Sequence, residues 1–365
     1  MAKDDWAIVV GVKAYFDPDL AGLEGPENDA NEFHQWVVSD SGGGVPPGQA
    51  QLILSSMYNP PFQAVSAAMP TAEAVKSAFD HLKSIAEENE EKGNGRVVGR
   101  RLYLFFSGHG FAPSHRDDLT AMLTAEANVK QQKLPHILCS YMADFFWRAR
   151  FFDEILLFVD CCRSIMECTQ LYTPYDEERG SDYWTVRRLY GYGARVAKES
   201  KEWKMPDGQV HGVFTRTLID ALNGSGYDPN EPTKITAESL RDQLYNGFKA
   251  NMAPADRERP DLPKEPEITY EEKPGANFTI VSRASLISLL TSAKKPSFPV
   301  KIVTDTAAGK QATVRDKDFK VVARPMLSAV TDLALERGLY AIEVGDSDGV
   351  RFEVTGGKEP VNVRI

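Results

Sequence analysis

Short apolar runs alternate along this chain with stretches whose apolar residues recur every three or four positions. Trp6-Ala7-Ile8-Val9-Val10-Gly11-Val12 reads as a strand buried on both faces. Pro26-Glu27-Asn28-Asp29-Ala30 opens a stretch with Phe33, Trp36 and Val37 at helical spacing. Gln51-Leu52-Ile53-Leu54 predicts a second strand. Val75, Phe79, Leu82 and Ile85 predict a second helix, with Thr71 as its N-cap and Glu73 in its first turn. Leu102-Tyr103-Leu104-Phe105-Phe106 and Ile155-Leu156-Leu157-Phe158-Val159 are the third and fourth strands, with a helix over 137–147 between them. Arg188-Leu189-Tyr190-Gly191-Tyr192-Gly193 is a weaker strand. Helices over 213–222, ended by Asn223-Gly224, and over 237–248 follow, and Asn277-Phe278-Thr279-Ile280-Val281 closes the set as a last strand. This alternation predicts an α/β fold: a mostly parallel, six-stranded sheet with helices on both faces.

After about residue 295 the period shortens to that of strands. Phe298-Pro299-Val300-Lys301-Ile302-Val303, Gly338-Leu339-Tyr340-Ala341-Ile342-Glu343-Val344, Val350-Arg351-Phe352-Glu353-Val354 and Val361-Asn362-Val363-Arg364-Ile365 alternate polar and apolar positions between Gly-rich turns. These predict a small C-terminal all-β sandwich over 296–365, behind an α/β domain over 1–285. No internal repeat is evident.

With 365 residues, 42% hydrophobic and 26% charged, the chain has globular composition and room for two domains. A net charge of −10 argues against a general nucleic-acid binder. No apolar run reaches the length of a membrane span. The charged opening, Met1-Ala2-Lys3-Asp4-Asp5, lacks the apolar core of a secretory signal. Cys139, Cys161, Cys162 and Cys168 are clustered unlike a disulfide framework, and no CxxC spacing suggests zinc. A reducing, cytoplasmic location is the expectation. No GxGxxG or GxxxxGK[ST] loop follows the first strand, which counts against a nucleotide-binding domain.

The chemistry sits in two short runs, each directly after a strand: Ser107-Gly108-His109-Gly110 and Asp160-Cys161-Cys162-Arg163-Ser164. A parallel sheet delivers such strand ends to one edge, where open α/β sheets place their ligand sites. His109 stands about 50 residues before Cys162, a spacing known for a base and its thiol nucleophile. A thiolate attacks, so Cys162 needs a base, and His109 supplies one. Gly110 lets backbone approach closely, and the amides of Gly110 and Cys162 are the expected oxyanion donors. Alone, either residue reads as ordinary: a surface histidine, a small buried hydrophobe. Together at strand ends, flanked by glycines, they read as a dyad.

Residues from about 5 to 282 resemble the caspase/metacaspase family of cysteine peptidases. The resemblance rests on the opening strand, on Asn28-Asp29-Ala30, on the two boxes above, and on Gly212-Val213-Phe214-Thr215, similar to the family's small-subunit element. It implies that His109 is the base and Cys162, two residues after Asp160, the nucleophile. Cys161 then points away and packs beneath the sheet. Arg163 follows the nucleophile as in animal caspases, where metacaspases usually carry histidine, so the subfamily stays open. Animal caspases carry glutamine at the position of Asp160 and bind aspartate through arginines. Here Asp29, Ser107 and Asp160 match the metacaspase specificity pocket, and two carboxylates with a hydroxyl favour a guanidinium or ammonium. Cleavage of protein substrates after Arg, or Lys, is the expectation. For Asp29 a plainer role is that of a helix N-terminal acid.

The resemblance also divides the domain into a large-subunit-like part, about 1–168, a linker, about 169–187, and a small-subunit-like part, about 188–285. The linker is polar and falls where caspases are processed, which makes Arg179, Arg187 and Arg188 candidate cleavage sites. No cofactor is required. Asp117 and Asp118 are calcium candidates because some metacaspases use an acidic cluster nearby. Calcium wants six to eight oxygens, and Glu126 and Glu167 are the few others at hand, so a solvated loop is the plainer reading. His115 and His136 have no evident role. An activating protease or regulatory protein is the expected partner, with no nucleic acid or membrane. Bacterial caspase-like peptidases often serve defence or cell death. The alternative is a non-catalytic adaptor that keeps the fold for binding proteins.

Overall fold

The computed structural model describes residues 4–365 apart from 129–133, 168–169, 177, 199, 206–207, 253–255, 260–261, 263–264, 271–276, 283–297, 318–319, 336–337, 346–348 and 355–359. The chain forms two compact units, Met1–Ile287 and Ser288–Ile365.

In chain order the first unit contains β1 (Asp5–Gly11), α1 (Gly25–Val38), β2 (Ala50–Leu54), α2 (Ala72–Glu91), β3 (Gly99–Ser107), β4 (Gly110–Pro113), β5 (Ala121–Leu123), β6 (His136–Leu138), α3 (Cys139–Ala149), β7 (Phe152–Asp160) and β8 (Ser164–Met166). It continues with β9 (Arg187–Tyr192), β10 (Glu202–Lys204), β11 (Val210–Gly212), α4 (Val213–Asp220), β12 (Lys234–Thr236), α5 (Ala237–Asn251), β13 (Glu267–Tyr270) and β14 (Thr279–Ser282). The central sheet has six strands in the order β13-β9-β7-β3-β1-β2. All its pairings are parallel except β13 on β9. The apolar runs fill its middle, and residues of both parities are buried because helices cover both faces. Ile8, Leu104 and Leu157 join the core beneath α2 and α3, and Val9, Phe105 and Phe158 the core beneath α1, α4 and α5.

One predicted strand lies elsewhere. Thr279–Ser282 pairs with β12 outside the central sheet, and the sixth central strand is Glu267–Tyr270. β13 has four residues, follows Pro266 and begins with Glu267, so it carries no apolar run to read; short, charged segments are what sheet edges tolerate. The segment around β14 is fastened to the sheet by Arg101, which is 1% exposed. Its guanidinium donates to the carbonyls of Ile280 (2.8 Å) and Thr279 (2.6 Å), to Tyr103 Oη (2.9 Å) and to Glu154 (2.6 Å).

The described part of the 169–187 linker lies against the domain rather than looping free. Tyr172 donates to Glu73 (2.6 Å), Tyr175 donates to Asp80 (2.9 Å) and stacks on Phe145, and the Gly180 amide donates to the Arg148 carbonyl (2.8 Å). Arg179 is exposed. Arg187 and Arg188, expected as processing sites, belong instead to β9, in register with Glu154 and Ile155 of β7. Arg187 is paired with Glu154, and Arg188 bonds Asp144 and covers the Trp147 ring. Cleavage there requires pulling the strand from the sheet.

The second unit contains β15 (Phe298–Val303), β16 (Ala312–Asp316), β17 (Val321–Ala323), β18 (Val330–Leu335), β19 (Gly338–Val344), β20 (Val350–Val354) and β21 (Val361–Arg364). They form a three-stranded sheet, β18-β15-β21, and a four-stranded sheet, β17-β16-β19-β20. Val300, Ile302 and Val363 of the first share one core with Val314, Ile342 and Val354 of the second, which is a sandwich. Among the described residues, no helix is long and apolar enough to cross a membrane.

Candidate active site

Strand register builds the site. Gly11, Ser107 and Asp160 stand opposite one another at the ends of β1, β3 and β7. The two residues after Ser107 and the two after Asp160 therefore leave the sheet at the same level, and His109 and Cys162 both line one cavity of about 400 Å³. Asp29, Ser107 and Asp160 line it too. The predicted dyad and pocket residues are thus brought together.

His109 is half-buried. Its Nε2 lies 2.8 Å from the Ala21 carbonyl oxygen. A carbonyl only accepts, so this nitrogen carries the proton, and the neutral ring keeps Nδ1 as its basic atom. The Tyr15 ring packs against His109 at 5.0 Å between centroids, and Tyr15 Oη accepts from the His109 amide (2.8 Å) and donates to the Val12 carbonyl (2.9 Å). Burial pushes the Tyr15 hydroxyl well above the usual phenol range, so it stays protonated and keeps donating.

Cys162 is half-buried, its Sγ 3.6 Å from the Ser200 carbonyl. Cys161 is buried in the core, with burial holding its thiol well above the ordinary range, as expected of a packing residue. Gly110 is required at its position: a Cβ there would sit 2.4 Å from Cys161 Sγ and 2.6 Å from the Ala121 carbonyl. Gly110 faces Met122 across the antiparallel β4–β5 pair, and the Leu123 amide donates to the His109 carbonyl (2.8 Å). That places Gly110 at a non-hydrogen-bonded position, its amide turned out of this ladder.

Two carboxylates form the base of the cavity. Asp160 accepts from Ser200 Oγ (2.6 Å) and from the amide (2.9 Å) and hydroxyl (2.7 Å) of Thr215. Asp29 accepts from Ser107 Oγ (3.1 Å), His211 Nδ1 (2.9 Å) and the Gly212 amide (3.2 Å to each oxygen). Both acids are buried. Burial, with Asp160 as a nearby like charge, pushes the Asp29 carboxyl up to about 7. Burial likewise raises Asp160, against the pull of its Ser200 and Thr215 hydrogen bonds. Gly212 makes the closeness possible: a Cβ there would lie 2.0 Å from Asp160 Oδ2. Asp29 does not serve the α1 N-terminus, whose amides at Glu24 and Gly25 are capped by Glu202 (3.1 and 2.8 Å).

Sequence reasoning did not single out Tyr15, Ser200, Glu202 or His211. Only His211 left a trace, standing directly before the Gly212-Val213-Phe214-Thr215 element. The calcium candidates lie apart from the cavity. Asp118 is held by Arg116 at 2.8 Å, and Glu126 accepts from the Ala72 amide at the start of α2 (3.0 Å). Among the described residues no three His, Cys, Asp or Glu side chains converge as metal ligands. His136 is buried: its Nδ1 donates to the Leu134 carbonyl (2.5 Å), and its Nε2 accepts from the Tyr172 amide (3.2 Å).

A doubly covered parallel sheet with a histidine and a cysteine leaving adjacent strand ends is the architecture of a caspase-type hydrolase domain. The family profile for the caspase domain matches residues 4–266, and the chain belongs to that family of peptidases. It is 23% identical over 341 residues to a probable protease of a Desulfuromonadales bacterium, an alignment covering 88% of this chain and 39% of the other. The chain thus spans less than half the length of that curated relative. Similar solved structures include caspase-1 from Spodoptera frugiperda (13% identity, TM-score 0.42, 73% of this chain and 86% of that one). A protein from Geobacter sulfurreducens is also similar (14% identity, TM-score 0.42, 77% and 98%).

Proposed function

We infer that this protein is a cysteine endopeptidase that cleaves after Arg, or Lys, through a His109–Cys162 dyad. The observation that carries the reading is the shared cavity: a histidine with its tautomer fixed by Ala21, a half-buried thiol, and two buried carboxylates at the base. His109 Nδ1 takes the Cys162 proton as Sγ attacks the scissile carbonyl carbon. The oxyanion is met by the amides of Gly110 and Cys162. The tetrahedral intermediate collapses to a thioester, and the leaving amine takes its proton from the imidazolium. His109 then deprotonates a water, which hydrolyses the thioester and returns the thiol.

Asp29 and Asp160 support a basic side chain before the scissile bond, because a guanidinium between two buried carboxylates removes their mutual repulsion and pairs with both. An aspartate there would meet like charge. Processing at Arg179 is the activation step this reading favours, since that bond lies outside the sheet.

The test is a peptide library varied at the residue before the cleaved bond, run with wild type and Cys162→Ala. Turnover confined to Arg and Lys, and lost in the variant, is expected. Turnover after Asp, or turnover surviving in Cys162→Ala, overturns the reading.

A further inference from the structure

A buried titratable group outside the cavity lining is bonded to one of the two pocket carboxylates. His211, on β11, is 2% exposed, and its Nδ1 is 2.9 Å from Asp29 Oδ1 and 3.7 Å from Glu32 Oε2. We propose that His211 is a specificity-positioning residue: it aims Asp29 into the pocket, and by gaining or losing one proton it sets how much negative charge the pocket offers a basic side chain. This deepens, and rests on, the basic-residue reading above.

The geometry argues as follows. Asp29 Oδ1 takes hydrogen bonds from His211 and Gly212, and Oδ2 from Ser107 and Gly212. Ser107 Oγ and the Gly212 amide cannot change charge in the working range; the imidazole can. With one proton between Nδ1 and Oδ1, the pair carries no more than the carboxylate's charge and is open to a cation. With a second proton, an imidazolium becomes the resident counter-ion of Asp29, and an incoming guanidinium must displace it.

Groups from every packed element bear on that proton. From α1, Asp29 and Glu32 face His211, and Glu32 Oε2 is buried without a hydrogen-bond partner. From α4, Arg216 lies 3.7 Å from Glu32 and is drawn off by Asp220 at 2.9 Å. From β10, the neutral Trp203 stands opposite His211, and Glu202 is engaged at the start of α1. Across the pocket is Asp160. Asp29 and Glu32 facing His211 favour the protonated ring, and burial opposes it. Binding of a cation then expels a proton from the pair.

The probe is p-aminobenzamidine, an amidinium whose emission reports occupancy and whose binding needs no catalysis. Calorimetry at about pH 6.5 in buffers of different ionisation enthalpy counts the protons released. Wild type is expected to release more than His211→Asn, by about half a proton or more, because asparagine keeps an N–H donor and cannot titrate. At about pH 8, His211→Leu is expected to bind about tenfold more weakly, as loss of one charge-assisted hydrogen bond implies, with His211→Asn recovering most of the loss. With an Arg peptide the Leu defect is expected in KM rather than kcat. Equal proton release in wild type and the Asn variant, or wild-type affinity in the Leu variant, overturns the inference and leaves the basic-residue reading standing. Wild type that binds no amidinium at either pH overturns both.

Discussion

His109 Nε2 sits 2.8 Å from the carbonyl oxygen of Ala21, a residue of the loop between the first strand and the first helix. One backbone carbonyl thus fixes which imidazole nitrogen is basic, a role an acidic side chain fills in other triads. The remainder of the ring is held by Tyr15. Both contacts on the ring come from the loop between β1 and α1.

Replacing His109 tests the proposed base apart from substrate binding. His109→Ala is expected to lower kcat/KM by about 10²-fold or more, the usual worth of a positioned general base. Iodoacetamide alkylation of Cys162 should slow in parallel at neutral pH. Unchanged alkylation would mean that another group activates the thiol.

Gly212→Ala sets a methyl against Asp160. The Cβ would lie 2.0 Å from Oδ2, so the carboxylate must swing off Thr215 or β11 must shift. A loss of about 1–3 kcal/mol in urea unfolding is expected from such crowding, with Arg-peptide KM raised. Wild-type KM in a folded Ala variant would place the basic side chain elsewhere.

Asp29 gives a pH signature. Its folded carboxyl is raised to about 7 from an unfolded value of 3.8, so the stability it contributes is fully present below 3.8 and is lost as pH rises through about 7. Thermal melts of Asp29→Asn beside wild type should shift in favour of the Asn variant between about pH 4.5 and about pH 7.5. A cationic pocket ligand should counter the trend by pairing with the ionised acid. A pH-independent difference between the two melts would contradict the assigned burial cost.

Arg101 is a stability residue far from the cavity chemistry. Its replacement by methionine leaves Glu154 buried with a partner removed and frees the Thr279 and Ile280 carbonyls. Glu154 keeps Arg187, so the expected cost by denaturant unfolding is that of the lost charged hydrogen bonds, about 1.5–3 kcal/mol. Residual folded enzyme should keep wild-type KM.

Access to Arg179 should depend on the tyrosines that hold its segment. The double variant Tyr172→Phe, Tyr175→Phe loses the hydrogen bonds to Glu73 and Asp80 while keeping both rings. Trypsin cleavage after Arg179 is expected to quicken about tenfold, since two weakened contacts are worth about 1–2 kcal/mol of local opening. Equal rates would mean that contacts the variant keeps, such as Gly180 on Arg148 and Arg150 on Ser181, control opening.

The central strands, the main helices and the residues at the strand ends were legible because burial on both faces writes uninterrupted apolar runs. Asp160 and Ser107 end such strands, and their place in a pocket was legible only through the family resemblance. β13 was not legible, because an edge strand of four residues needs no apolar signature. Arg187 read as linker, one residue before the predicted strand at Arg188, until strand pairing placed it beside β7. Tyr15, Ser200 and His211 matter through contacts with residues 94, 40 and 182 positions away, and no local pattern encodes those distances.

The position of β9 between β7 and β13 bears on what happens after a cut. Severing Arg179-Gly180 leaves one fragment with four central strands and the other with two, joined along β7–β9 and clasped by Arg101 on Thr279 and Ile280. The pieces would run as two bands in detergent and elute as one particle without it, the pocket still assembled from both.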